Sequence, residues 1–166
     1  AVAGDAIADL ARGSSAEVCI VALHHAVAPM PDTEVGEWSQ LVNAGAVQEA
    51  CLNGRVALVL HGHAHRGWLG AFSRPRSVKD LPDERWTTRV ASAATLGSAW
   101  AANEHGFNEV IVASERRAWS SESAPLRTVG VRPWTWTGSH WTAGDWCLFH
   151  PGAADELAWD DLYADR

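Results

Sequence analysis

The chain has 166 residues, 47% hydrophobic and 20% charged, which suits one domain with a buried core and excludes a disordered tail. A net charge of −7 excludes a sequence-independent grip on nucleic acid, though bound cations could still draw in a phosphate-bearing substrate. The three cysteines lack paired spacing, and no apolar run approaches the ~20 residues that cross a bilayer, so the composition predicts a reducing, cytoplasmic setting without membrane contact.

A short helical pattern opens the chain, with Ile7, Leu10 and Ala11 on one face and Gly13-Ser14-Ser15 closing it. The start lacks the basic flank and sustained apolar run of a signal peptide. Val18 to Leu23 is a continuous apolar run that predicts a strand covered on both faces, ending at His24-His25. Pro29 and Pro31 make 26–32 a loop. A helix is predicted from about Val35 to Leu52, burying Trp38, Leu41, Val42, Val47 and Leu52, and Asn53-Gly54 stops it. Val56 to Leu60 is a second buried strand, again ending in histidines. Strand, helix, strand is the βαβ unit of a parallel sheet, whose ligands gather at the carboxyl ends of the strands.

After Gly67 the composition changes. Residues 73–85 read as a solvated loop, although Arg74, Arg76, Lys79 and Arg85 could hold an anion. Strand-like segments follow at 89–93, 108–113, 126–136 and 145–149, punctuated by turn residues, which predicts an antiparallel meander. Ten tryptophans stand against one tyrosine; they read as core or interface filling, with a base-stacking or sugar-binding platform as the other reading. Trp134 and Trp136 share a face by period two, and with Trp141 they predict a half-buried stripe. Residues 1–150 form the domain and 151–166 an acidic tail, with a short helix expected around Leu157, Trp159 and Leu162.

The chemical signal is concentrated in Leu60-His61-Gly62-His63-Ala64-His65-Arg66-Gly67. Imidazole is the commonest ligand for divalent transition metals, and Gly62 is expected to give the sharp turn that aims His63 and His65 into one site. His24-His25 is weaker alone. It gains weight by occupying the same end of the equivalent strand.

Val21-Ala22-Leu23-His24-His25 and the Gly62-His63-Ala64-His65 segment resemble the last two metal-binding motifs of calcineurin-like metallophosphoesterases. Leu41-Val42-Asn43-Ala44, Ala91-Ser92-Ala93 and Gly106-Phe107-Asn108 resemble that family's connector and following strands, so the resemblance covers roughly residues 5–115. It implies an α/β fold, the carboxy-terminal half of a four-layer αββα sandwich in which a parallel βαβ unit precedes antiparallel strands. It also implies two divalent or transition metal ions (Mn, Fe or Zn). His24 and His63 would ligate one ion and His65 the other, with His25, His61 and Arg66 in supporting or substrate-facing positions. Many relatives carry proline where Ala26 stands here.

The family's first three blocks, Asp-x-His, Gly-Asp and Asn-His, have no counterpart ahead of His24, and Gly4-Asp5 reads as a helix start. The bridging carboxylate and the proton-donor histidine are therefore expected from an amino-terminal half on the same or a separate chain. Open strand edges would favour association with that half or with another copy. The expected activity is phosphoester hydrolysis by a metal-activated hydroxide. Two alternatives remain open: a non-catalytic binding module using the Trp-rich surface, and a mononuclear zinc hydrolase built on His24, His63 and His65.

Overall fold

The computed structural model describes residues 17–29, 41–63, 65–74, 86–96, 105–115 and 126–153, with Ala6, Ile7, Asp9 and Gly13. The fold is mixed α/β and mostly strands: two sheets and one helix with described bounds. The elements are β1 (Ile20–Leu23), α1 (Ala44–Asn53), β2 (Leu58–His61), β3 (Trp68–Ser73), β4 (Thr87–Ser92), β5 (Gly106–Glu115), β6 (Leu126–Trp136), β7 (Trp141–Ala143) and β8 (Cys147–Phe149).

The first sheet has the order β1-β2-β4-β3. β1 and β2 are parallel neighbours with α1 between them in sequence, as the two apolar runs predict, and Leu23 pairs with His61. β4 is also parallel to β2, which corrects the expectation of an antiparallel meander from residue 89 onward. β3 was not expected at all: after Gly67 the chain returns antiparallel to β4 before the predicted loop. The second sheet is antiparallel, as expected. β5 pairs over its whole length with 126–135 of β6, whose other side receives β8 at 129–131 and β7 at 134–136.

Alternation along the strands builds two cores. Val59 and Val90 join Val27, Val47, Cys51 and Val56 on the α1 side, with Ile7, Val21 and Leu23 packed against them. Leu58 and Ala91 point the other way and meet Val129, Val131 and Phe149 of the second sheet. Burial pushes the Cys51 thiol up to about 11, with a smaller contribution from Cys19. That matches its expected role as a small hydrophobe.

Several expectations need correction. α1 begins at Ala44, and Val42, expected in the core, is 99% exposed because it lies in the turn before the helix. β1 packs on both faces, Val21 and Leu23 against the core under α1 and Ile20 against the core between the sheets, but the cover is incomplete, since Ala22 is exposed. The 26–28 segment is a loop but not a surface one: Ala26, Val27 and Ala28 are all buried. Leu10 and Ala11, Trp38, the 75–85 part of the predicted loop and the expected helix within 154–166 lie outside the described residues.

Glu109 on β5 accepts from Arg132 Nη2 (2.7 Å), Arg132 Nε (3.1 Å) and Trp134 Nε1 (2.9 Å) on β6. The hydrogen bonds from Arg132 and then Trp134 hold its carboxyl below the usual carboxylate range. A depressed carboxylate contributes stability above its unfolded pKa and loses it as pH falls through the folded value.

Two outcomes test this packing. Phe149→Ala is expected to cost about 3–5 kcal/mol in urea unfolding, whereas Val42→Ala stays within about 0.5 kcal/mol of the parent. Glu109→Gln is expected to destabilise at pH 7, with its difference from the parent shrinking as pH is lowered from about 5 to about 3. A difference that stayed constant across that range would mean the carboxylate charge plays no part.

Candidate metal centre

The two histidine loops leave the same edge of the first sheet, side by side. β1 ends at Leu23 and β2 at His61, and the Gly62 N–H donates to the His24 carbonyl (3.3 Å), tying the loops together. Behind His25 the chain runs inward. The Leu41 N–H donates to the Ala26 carbonyl (3.3 Å), and Gln48 Nε2 of α1 donates to the Val27 carbonyl. Burial of Ala26 and these two bonds fix the loop.

Past β2, the loop is held from β4. Ser92 Oγ donates to the Arg66 carbonyl (2.8 Å), and the Ala93 N–H donates to the His61 carbonyl (3.0 Å). Asn108 Nδ2 of β5 donates to the Ser92 carbonyl (3.1 Å), bringing the second sheet into the support. Ser92 and Asn108 stand out in the sequence only as parts of the strand segments that carry the resemblance, not as site residues. Reading β4 as a third parallel strand would have placed Ser92 opposite His61.

The turn itself differs from expectation. Gly62 is not at positive φ; His63 (φ 65°) and His65 (φ 54°) are. The left-handed conformation costs a non-glycine residue about 1–2 kcal/mol, and such outliers gather at functional sites. The histidines, not the glycine, carry the turn.

His24, His25 and His63 form one cluster, with ring centroids 4.5–4.9 Å apart. His24 Nε2 and His63 Nδ1 face each other at 3.1 Å. Burial first, then the neighbouring His25, His24 and His65 charges, lower the His63 pKa, so its ring stays neutral with a lone pair available. His25 Nδ1 is buried without a hydrogen-bond partner. His65 is exposed and close enough to act on His63 electrostatically. Arg66 is also exposed.

His61 sits apart from the three rings. It is 4% exposed and its pKa is lowered by burial, against an opposing hydrogen bond from Nδ1 to the Gly62 carbonyl (3.1 Å). Its Nε2 is buried and unpartnered.

Two nitrogens bound to one tetrahedral ion at about 2.0–2.1 Å lie about 3.3–3.4 Å apart, close to the His24–His63 spacing. The pair therefore fits as two ligands of one ion. The fit goes no further: among the described residues no group of three or more His, Cys, Asp or Glu side chains is arranged to hold a metal ion. Among the same residues no helix is long and apolar enough to cross a membrane. No family model, curated protein or solved structure matches the chain.

The strained turn gives its own test. Glycine adopts positive φ without steric cost, so His65→Gly is expected to raise thermal unfolding stability by about 1 kcal/mol, while β-branched His65→Val lowers it. Equal melting of the two variants would remove the strain.

Proposed function

We propose that this chain supplies half of a two-metal phosphoester hydrolase centre of the calcineurin-like type. The carrying observation is the 3.1 Å approach of His24 Nε2 to His63 Nδ1 at the ends of two adjacent parallel strands. The order of strand, histidine pair, helix, strand and Gly-His-x-His supports the same reading; one helix, two sheets and the core between the sheets are what such a half would bring to a four-layer arrangement.

In this reading His24 and His63 hold one ion and His65 contributes to the second, both drawn from Mn, Fe or Zn. When bound, the metals would supply a hydroxide nucleophile at neutral pH and charge stabilisation on the phosphoryl oxygens. The chain's own part is to present imidazoles side by side from the ends of two paired strands. His25 packs against His63 and sets its ring position. Arg66, whose carbonyl is held by Ser92, would face the anionic substrate in this reading.

The bridging carboxylate and the proton-donating histidine would come from an amino-terminal half, on this polypeptide or a partner chain. The side of β1 away from β2, where the described residues supply no strand, is where that half would pair. A mononuclear zinc hydrolase is less well supported, because no third ligand joins the His24–His63 pair among the described residues.

Metal analysis tests the proposal. After incubation with Mn2+ or Zn2+, the complete assembly is expected to retain about two ions per site and to hydrolyse bis(p-nitrophenyl) phosphate. His63→Gly keeps the positive φ accessible, so it should preserve the fold by circular dichroism while losing bound metal and at least about a hundredfold of the activity. Full metal content in His63→Gly would remove His63 from the ligand set.

A further inference from the structure

The histidine centre makes no use of the tryptophans, yet those on the second sheet are ordered in a row. Val129 and Val131 face the first sheet, so Arg132, Trp134 and Trp136 of β6 share the opposite, outward face by alternation. Register sets Glu109 and Phe107 of β5 opposite Arg132 and Trp134, and Trp141 of β7 opposite Trp136.

The side chains touch in sequence. Arg132 lies over Trp146 (4.6 Å) and Trp134 (4.9 Å); Trp134 stacks on Phe107 (5.8 Å, 9° between planes); Phe107 meets Trp141 (5.1 Å), and Trp141 meets Trp136 (5.4 Å). Trp136 and Trp141 end the row, still 38% and 39% exposed.

Charge and area decide what this end can take. The guanidinium of Arg132 is bound by Glu109, so the face is internally neutral and the chain's net −7 opposes a polyphosphate. A quaternary ammonium is also unsuited, since the rings touch one another and Arg132 already occupies the slot between Trp134 and Trp146. The two open rings expose about 200 Å² or less. That is far below the ~800 Å² per partner of a stable protein interface. A bilayer would demand an apolar tip, but the hairpin turn is Thr137-Gly138-Ser139-His140, all exposed.

A small, neutral ligand with an apolar face and a hydroxylated rim matches these limits. The rim is polar: His140 Nδ1 lies 2.9 Å from Ser139 Oγ and 3.3 Å from Thr137 Oγ1, and these exposed groups stand in the turn that joins Trp136 to Trp141. A pyranose with equatorial hydroxyls carries axial C–H groups on both faces and fits tryptophan on either.

We infer that the Trp136–Trp141 end of the second sheet binds a neutral β-linked oligosaccharide, with the rings stacking on the sugar faces and the polar turn 137–140 hydrogen-bonding to its hydroxyls. This site is independent of the histidine centre.

Titration of the complete chain with cellohexaose, followed by tryptophan fluorescence, is expected to saturate. Trp136→Ala and Trp141→Ala should each weaken binding about tenfold or more, equivalent to about 1.4 kcal/mol. Trp141→Tyr keeps an aromatic face, guards against loss of fold and should retain most of the affinity. His63→Gly should leave binding unchanged. No saturation up to about 10 mM cellohexaose, or undiminished binding by both alanine variants, overturns the inference. So does tighter binding to oligothymidylate or to phosphatidylcholine vesicles, or a dimer that the alanine variants abolish.

Discussion

Parallel pairing of β1 with β2 is the constraint on which the candidate centre depends. The register sets Leu23 against His61, so the chain leaves both strands at one level and His24 arrives beside His63. A shift of one residue would move every side chain of β1 to the opposite face. Val21 and Leu23 would then leave the core under α1, and Ile20 would leave the core between the sheets. Burial of these few apolar residues thus specifies the distance between two imidazoles beyond the ends of their strands. The Gly62 to His24 hydrogen bond continues the ladder one step further and carries that register into the loops.

Past that point the backbone is held against its own preference. His63 and His65 occupy left-handed conformations that an isolated chain would avoid, and support comes from three directions: β1 through Gly62, β4 through Ser92 and Ala93, and β5 through Asn108. Strain persists only where surrounding contacts over-determine it. Glycines at these positions would fold more easily but would carry no imidazole. The polar interior points the same way, since His25 Nδ1 and His61 Nε2 are both buried without partners at this end of the sheet. Native proteins rarely leave such atoms unsatisfied without a ligand, an ion or water to meet them.

The readable part of the sequence was the part written in long apolar runs. Val18–Leu23 and Val56–Leu60 fall on the first two strands, and the histidines end both, because a buried parallel strand needs uninterrupted apolar residues. Trp68–Ser73 was missed for the opposite reason. Its residues alternate half-buried and exposed, but Gly70 takes one of the half-buried positions without an apolar side chain to mark it, so the segment reads as loop unless its partner β4 is known. β4 itself contains Thr87, Thr88 and Arg89, and its place beside β2 follows from long-range pairing that local pattern does not encode. The candidate ligands were legible as residue types. Their geometry was not: Gly62 was the obvious hinge, and the positive φ values fell on the histidines that follow it, where strain is imposed by tertiary contacts.

β5 joins the two regions of interest. Its first residues lie against the carboxyl end of the first sheet, where the Gly106 N–H donates to the Thr95 carbonyl (3.1 Å) and Asn108 reaches Ser92. On the same stretch Phe107 enters the aromatic row, and Glu109 anchors Arg132 and Trp134. Gly106 is fixed by proximity: a Cβ there would stand 2.5 Å from the Trp134 carbonyl oxygen, and no side chain could be added without parting β5 from β6. The close approach that seats Phe107 on Trp134 therefore also aligns Asn108 with Ser92. Alternation sends these neighbours to opposite faces of one strand, so a single short segment supports the histidine loops on one side and orders the tryptophans on the other.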